Sequence, residues 1–209
     1  MALSVTGAIA YQHHQLHVES LSIQSLADAI DTPFYCYSQA RLLENIARCK
    51  AAFQPRGIEV HYAMKANSNL SILQLIAAQG LGVDLVSGGE LYRAQAAGFS
   101  PAKMIFSGVG KTRREMIDAI RAGIGQFNVE SAEELQQLAE LARLEKQRVT
   151  IALRVNPDVA VDTHKHITTG RKGNKFGIAM DQVLSLCQHY SDQPLINIAG
   201  LAMHIGSQI

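Results

Sequence analysis

The chain has 209 residues, of which 47% are hydrophobic and 18% are charged. This balance provides enough apolar side chains for a folded core and too few charges for a disordered chain. The length suits one large domain or one and a half. The formal net charge is +1, so we expect neither nucleic acid nor an anionic membrane as a partner.

The cysteines and the first residues of the chain bear on its compartment. The three cysteines are widely spaced and odd in number, which argues against a disulfide framework and against a zinc site. Cys49 and Cys187 lie in helical patterns, so we expect them in the core, and no metal site is expected. The sequence starts without the basic stretch and apolar run of a signal peptide, and no apolar run reaches the length of about 18 residues that spans a membrane. We therefore predict a cytoplasmic protein.

The region before residue 38 carries weak structural signals. Residues 1 to about 32 indicate short strands at most, and Thr32-Pro33 marks a boundary. Phe34–Tyr37 is typical of a short aromatic strand. Ser38 is a suitable N-cap for a helix that extends to about Phe53. We therefore separate an N-terminal segment, 1–36, from a main domain, 37–209.

From residue 60 onward, strand-like segments recur at a nearly constant interval. A further strand is expected two intervals after the fifth, with a short strand over Lys175–Ile178 between them. Amphipathic helical segments lie between the first five strands. The centres of the first five strands, 21 to 25 residues apart, and of the last one are Tyr62, Asp84, Ile105, Phe127, Ala152 and Ala202.

The predicted helix boundaries follow the same interval. Capping boxes, in which Ser or Thr is followed three residues later by Glu, begin at Ser87, Thr112 and Ser131. Strands separated by helices run parallel, because the crossover connection is long. We therefore predict an α/β fold, a (β/α)8 TIM-type barrel truncated before its eighth strand. A doubly wound open sheet is the alternative, but it gives no reason for so even an interval, and no Gly-x-Gly-x-x-Gly follows any strand.

The segment from Glu59 to Asn67 is the candidate centre of the chemistry. Strand alternation places Lys65 at the last inward position before a turn. Parallel α/β folds keep their chemistry at this end of the strand, and a neutral lysine amine can act as a nucleophile there. For an isolated strand, an exposed lysine at the strand end is the commoner explanation. The other strands decide between these two interpretations.

Polar side chains recur at the predicted carboxyl ends of the other strands. Alone, each has a plainer explanation: Arg154 and Asp84 could form a buried ion pair, and a single histidine such as His204 is more often a core residue than a catalyst. Together they indicate a ligand site at one end of a barrel. The residues in this pattern are Asp84, Ser107, Asn128, Glu130, Arg154, His204 and Ser207.

Five motifs at these strand ends resemble those of the alanine-racemase-fold (fold type III) pyridoxal-phosphate-dependent decarboxylases. They are YAMKAN at 62–67, VDLVSGGEL at 83–91, NVES at 128–131, LRVNP at 153–157 and MHIGSQ at 203–208. The match extends in order from about residue 33 to the end. The resemblance implies a barrel that binds pyridoxal 5'-phosphate. By itself, the basic, glycine-rich run over 168–175 is either a cover for an anionic ligand or a mobile loop. Together with the residues up to 178, it is similar to the corresponding segment of the branch that acts on diaminopimelate.

The resemblance also implies roles for single residues. Lys65 would bind the cofactor aldehyde covalently, and His204 would lie against the pyridine face; these two are the expected catalytic residues. Ser207 would bind the cofactor phosphate. Asp84 would belong to the pocket around the lysine, and Arg154 would sit near the ring.

The function implied by the resemblance is decarboxylation of meso-diaminopimelate to L-lysine and carbon dioxide by a longer, homodimeric enzyme of lysine biosynthesis in the cytoplasm. We expect segment 1–36 to join a β-rich second domain, and the chain alone to be inactive. The alternatives are a decarboxylase of ornithine, arginine or carboxynorspermidine, a non-catalytic regulatory homologue, and a cofactor-free Schiff-base lyase. The joint presence of Lys65, His204 and Ser207 argues against a pure regulator, since binding a partner requires none of them.

Overall fold

The computed structural model describes residues 8–157, 176–204 and 206. The chain divides into two compact units, with the boundary between Val60 and His61. In the part of the chain that the structure describes, no helix is both long and apolar enough to cross a membrane.

The first unit contains a small antiparallel sheet and two helices. Strands β1 (Ile9–Gln12), β2 (Gln15–Val18) and β3 (Leu21–Ser22) pair in chain order, as the prediction of short strands allowed. Helix α1 (Ile23–Ile30) follows directly, capped by the Ser22 side chain, and was not predicted.

Helix α2 (Gln39–Phe53) begins where it was predicted, because the Ser38 hydroxyl accepts a hydrogen bond from the Arg41 amide. The same hydroxyl donates to the Glu19 carboxylate at 2.8 Å. Two expectations for this unit were wrong. Phe34–Tyr37 pairs with no strand among the described residues, and its two tyrosine rings stack on each other instead. Cys49 is exposed on α2, and in the second unit Cys187 is only half-buried.

The second unit is built on a parallel sheet, as predicted. The strands within the described residues are β4 (His61–Ala63), β5 (Gly82–Leu85), β6 (Met104–Phe106), β7 (Gln126–Val129), β8 (Val149–Asn156), β9 (Ile178–Ala179) and β10 (Ile196–Ala202). The intervening helices are α3 (Leu70–Ala78), α4 (Gly88–Ala97), α5 (Arg113–Ala122), α6 (Ala132–Glu145) and α7 (Met180–Tyr190).

Strand order distinguishes the two predicted architectures. Strands β4 to β8 lie side by side in chain order, and β10 follows β8. The short β9 pairs with the carboxyl end of β8 through Val155 and Asn156. A doubly wound sheet reverses its strand order at a switch point, whereas a barrel does not. The observed order is therefore that of a barrel.

The core of this unit lies between the sheet and its helices. Alternate strand residues are fully buried on the helix side, and the rings of Phe106 and Phe127 stack there at a centroid distance of 6.1 Å. The intervening residues, such as Asp84, Asn128 and Arg154, face the other side of the sheet. The alternation of strand residues thus separates an apolar core from a polar inner face.

Side-chain hydrogen bonds at three helix N-termini fix the connection between a strand and the helix that follows it. The hydroxyls of Ser87, Thr112 and Ser131 each accept from the backbone amide three residues later, as predicted. Only at Thr112 does the glutamate complete the reciprocal capping box. Glu90 and Glu134 reach one residue further back, accepting from the amides of Val86 and Glu130. These carboxylates therefore fix the last residue before the cap, next to the carboxyl end of the strand.

Candidate active site

A cavity of about 570 Å³ opens at the carboxyl ends of the parallel strands. It is the place where side chains from successive strands converge in a parallel barrel. Four of the five predicted site residues line it, namely Lys65, Asp84, Arg154 and His204. The fifth, Ser207, lies outside the described residues, as does the run over 168–175.

Lys65 occupies a turn and not the strand that was predicted. Strand β4 ends at Ala63, and Met64–Ala66 form one turn of 3-10 helix. The fully buried side chain of Met64 anchors this turn in the core. On its far side, the Tyr62 hydroxyl donates to the Asn67 carbonyl at 3.1 Å. Lys65 is thus presented from a short turn that is held at both ends.

Below Lys65, the side chain of His61 on β4 passes over Gly82 on β5. The two residues are register partners in the parallel ladder. A β-carbon built on Gly82 would come within 2.1 Å of His61 Nδ1, a distance that no real packing allows. Glycine at this position is therefore required for the imidazole to lie where it does. His61 also lines the cavity, a role that no motif in the sequence indicated.

Asp84 lies on β5 and accepts a hydrogen bond at 2.5 Å from the hydroxyl of Ser107, which directly follows β6. Burial raises the pKa of the Asp84 carboxyl above its ordinary value, because the ionised form loses hydration. The Ser107 hydrogen bond opposes this effect, as do the nearby charges of Lys65, His61 and Arg154.

Arg154 on β8 pairs with Glu130, which directly follows β7. Its Nη1 atom donates to both carboxylate oxygens of Glu130, at 2.7 and 3.0 Å. The side chains are 11% and 3% exposed, so the pair is almost wholly removed from water. Glu130 accepts a further hydrogen bond from the Gly108 amide at 3.0 Å. The buried pair considered from the sequence therefore exists, but with Glu130 in place of Asp84.

His204 follows β10 and is partly exposed at the cavity. Its pKa is lowered, first by burial and then by the positive charges of Arg154 and Lys65. This favours a neutral imidazole, which can lie against a flat aromatic ring without bringing a charge into the cavity. On the neighbouring strand β8, where Arg154 is the register partner of Ala202, the Arg154 guanidinium lies 5.1 Å from the ring centroid of Phe176.

A second buried pair stands behind the cavity wall. Lys111 Nζ donates to Glu134 Oε1 at 2.7 Å and to the carbonyls of Gly108 and Asn128 at 2.8 Å. These acceptors join the loop after β6 to the end of β7 and the start of α6. Sequence reasoning missed this role, although a lysine just before a capping box was a visible signal. Among the described residues, no cluster of His, Cys, Asp or Glu has the makings of a metal site.

Fold and site together define part of a β/α-barrel protein with an amine and an imidazole at the carboxyl ends of its strands. The sequence of residues 39–209 matches the family model of the pyridoxal-dependent decarboxylase pyridoxal binding domain. The chain therefore belongs to the pyridoxal-dependent decarboxylases. This confirms the resemblance seen in the sequence.

Relatives and solved structures agree with this assignment. Diaminopimelate decarboxylase of Neisseria meningitidis serogroup A is 45% identical over 194 residues, which are 93% of this chain and 48% of that protein. The enzyme of that name from Pseudomonas aeruginosa is 42% identical over 200 residues, covering 96% and 48%. The crystal structure of diaminopimelate decarboxylase from M. jannaschii in complex with L-lysine superposes with a TM-score of 0.88 at 35% identity, covering 97% of this chain and 48% of that one. The chain spans about half the length of the curated relatives it matches.

These comparisons confirm the predicted fold, an incomplete TIM-type barrel, and pyridoxal 5'-phosphate as the cofactor. The described residues fit that cofactor. The cavity combines a primary amine, which can bind an aldehyde, with an imidazole whose lowered pKa favours the neutral form. The guanidinium of Arg154 is held rigidly beside them by Glu130.

Proposed function

We propose that the protein to which this chain belongs removes carbon dioxide from meso-diaminopimelate to give L-lysine, as a lyase of lysine biosynthesis. One observation carries the proposal: Lys65 and His204 line one cavity, in a chain that is 45% identical to a diaminopimelate decarboxylase. The substrate is a small amino acid, and the M. jannaschii structure of that name was solved with L-lysine.

In this proposal the side chains of the cavity divide the work. Lys65 would hold the cofactor, because its primary amine can bind the cofactor aldehyde. His204 would form one wall of the site, against the cofactor ring. Ser207 would hold the phosphate, and Arg154 and Asp84 orient the groups around the lysine. When bound, pyridoxal phosphate supplies a conjugated ring that delocalises the electron pair left behind by carbon dioxide.

Trapping the lysine with borohydride tests the assignment of Lys65. We expect the whole protein to show a visible absorption band with pyridoxal phosphate, and borohydride to fix the cofactor on the peptide that contains Lys65. Lys65→Ala should abolish both signals, whereas Lys146→Ala, at the exposed end of α6, should abolish neither. Attachment to another lysine, or no attachment, would refute the assignment.

Product assays test the substrate. Carbon dioxide release from meso-diaminopimelate, with L-lysine as the second product, is the expected result. Preferred release from ornithine, arginine or carboxynorspermidine would assign the protein to another decarboxylase of the family. Cofactor binding without any release would favour a regulatory homologue, and release without cofactor a Schiff-base lyase.

The remaining expectations concern assembly. We propose that segment 1–36 joins a β-rich second domain, that 37–209 forms the incomplete barrel, and that the whole protein is a cytoplasmic homodimer. Exposed apolar side chains in the first unit, such as Tyr11 and Tyr35, support a covering partner for that segment. Because the relatives are about twice as long, the isolated chain is expected to release no carbon dioxide. Sedimentation of the whole protein and an activity assay of the 209-residue chain test these points.

A further inference from the structure

Three hydrogen bonds form a continuous chain across the inner face of the sheet. Gln126 Nε2 donates to Asn128 Oδ1 at 2.8 Å, and Asn128 Nδ2 donates to Ser107 Oγ at 2.9 Å. Ser107 Oγ then donates to Asp84 Oδ1. These residues belong to the neighbouring strands β7, β6 and β5, or directly follow them. We call this chain the Asp84 relay.

Asn128 sets the direction of the hydrogen bonds in the relay. Because the amide nitrogen of Asn128 faces Ser107, it can only donate to that hydroxyl. The Ser107 proton must then point elsewhere, and the Asp84 carboxylate is the acceptor at hydrogen-bonding distance. The Asn128 amide is oriented in turn, because its oxygen accepts from Gln126. Each donor in the relay therefore points toward Asp84.

We propose that Ser107 and Asn128 are positioning residues that hold Asp84 as an ionised carboxylate beside Lys65 in the cavity. The inference rests on the proposed function, in which Asp84 and Lys65 belong to the cofactor site. A protonated Asp84 could accept from Ser107 only through its neutral carbonyl oxygen, which is a weaker acceptor than a carboxylate oxygen. The relay therefore stabilises the ionised state of Asp84 more than the protonated state.

The surroundings of Asp84 explain why such support is needed. Burial favours the neutral acid and raises the pKa of Asp84. The groups that face it are Lys65 and His61 on the β4 side, Arg154 on β8 and His204 after β10. The Ser107 hydrogen bond lowers this pKa more than the charges of Lys65, His61 or Arg154 do. Removing the hydroxyl therefore removes the largest opposing contribution.

The test is a carboxyl titration of the whole protein without cofactor. Aspartate labelled with ¹³C is followed by NMR as the pH is varied, and Asp84→Asn identifies the Asp84 signal. We expect Ser107→Ala to move the Asp84 midpoint to higher pH and Ser107→Thr, which retains the hydroxyl, to leave it near the wild-type value. Asn128→Asp should also raise the midpoint, since a carboxylate there accepts the Ser107 proton. Ser185→Ala, which removes an exposed hydroxyl on α7, is the matched control.

An unchanged midpoint in Ser107→Ala would overturn the proposal. A second readout is the pH dependence of kcat/KM in the holoenzyme. The acidic limb should move to higher pH in Ser107→Ala, with roughly a tenfold loss near that limb and recovery at higher pH. A loss of the same factor at every pH would mean that Ser107 only maintains the local structure.

The two readouts separate this inference from the proposed function. A shifted midpoint without cofactor attachment at Lys65 would leave the relay intact and refute the proposed function. Attachment at Lys65 together with an unshifted midpoint would refute the relay and leave the proposed function intact.

Discussion

Ion pairs in the outer helices and ion pairs behind the cavity have nearly the same lengths but different surroundings. Arg113–Glu140 and Arg121–Glu145 join neighbouring helices at 2.9 and 2.8 Å, and the arginines are 45% and 62% exposed. Lys111–Glu134 measures 2.7 Å, with the lysine side chain only 1% exposed. Distance therefore does not separate the two groups, whereas access to water does.

The number of partners follows from that access. Water solvates the outer arginines whenever their pairs open, so few further contacts are needed. A buried charge lacks this alternative and must have its hydrogen bonds supplied by the protein. Lys111 accordingly has three acceptors, and Glu130 accepts from both Arg154 and the Gly108 amide. The buried pairs tie strand ends and loops into one network at the cavity.

The largest effect is expected from Lys111→Met. This change leaves the Glu134 carboxylate buried without its cation and removes the donor from two carbonyls. We expect the free energy of unfolding to fall by about 3–5 kcal/mol, measured by urea denaturation of the whole protein. Arg113→Met, the same change in an outer pair, is the control. Equal losses of unfolding free energy in the two variants would show that burial does not distinguish the two kinds of ion pair.

A smaller effect is expected from Glu130→Gln, which keeps the shape and removes the charge. Arg154 would then lose its charged partner. Because a hydrogen bond between charged groups contributes about 1.5–3 kcal/mol, we expect the free energy of unfolding to fall by that amount. The negative charge of Glu130 also raises the pKa of His204, so its removal should lower that pKa further. Imidazole signals in an NMR titration measure this shift. A His204 pKa that stays constant or rises would contradict the electrostatic link between the two strand ends.

Asp84→Asn should increase stability, and by less than Glu130→Gln decreases it. Because the pKa of Asp84 is raised on folding, the folded chain binds that proton more tightly than the unfolded chain. The ionised carboxylate therefore opposes folding above its folded-state pKa, and this opposition disappears as the pH falls toward the ordinary value of 3.8. We expect Asp84→Asn to raise the melting temperature at pH 7, with a gain that shrinks on acidification. A lower melting temperature at pH 7 would show that the charge contributes to stability.

The smallest effect is expected from Arg121→Gln in the outer layer. Its pair with Glu145 is solvated, and added salt screens the attraction further. The change in unfolding free energy should be close to the scatter between replicate urea titrations and should vanish in high salt. A loss that persists in high salt would place this pair with the buried ones.

Much of the fold was predictable because strand and helix periods alternate regularly from residue 60 onward. The same alternation placed Asp84, Arg154 and His204 on the inner face, and the structure brings them into one cavity with Lys65. Helix α1 was missed because it spans only Ile23–Ile30 within a region of weak pattern.

The side chains that pair across strands were harder to predict than the face of the sheet on which each residue lies. The pattern indicated that Arg154 faces inward, but whether it meets Asp84 or Glu130 depends on the three-dimensional register of β5, β7 and β8. The same holds for the relay from Gln126 to Asp84, which links residues far apart in sequence. The turn that carries Lys65 was predicted as strand, because alternation continues through Met64 although the backbone has already left the sheet.

The close approach of His61 to Gly82 constrains how this barrel can diverge among its descendants. A larger residue at 82 has no room while the imidazole lies in its present position, so the ring must rotate away or be replaced when position 82 enlarges. Substitutions at the two positions are therefore expected to be coupled, and a mutant library that varies positions 61 and 82 together should yield larger residues at 82 more often than one that varies position 82 alone.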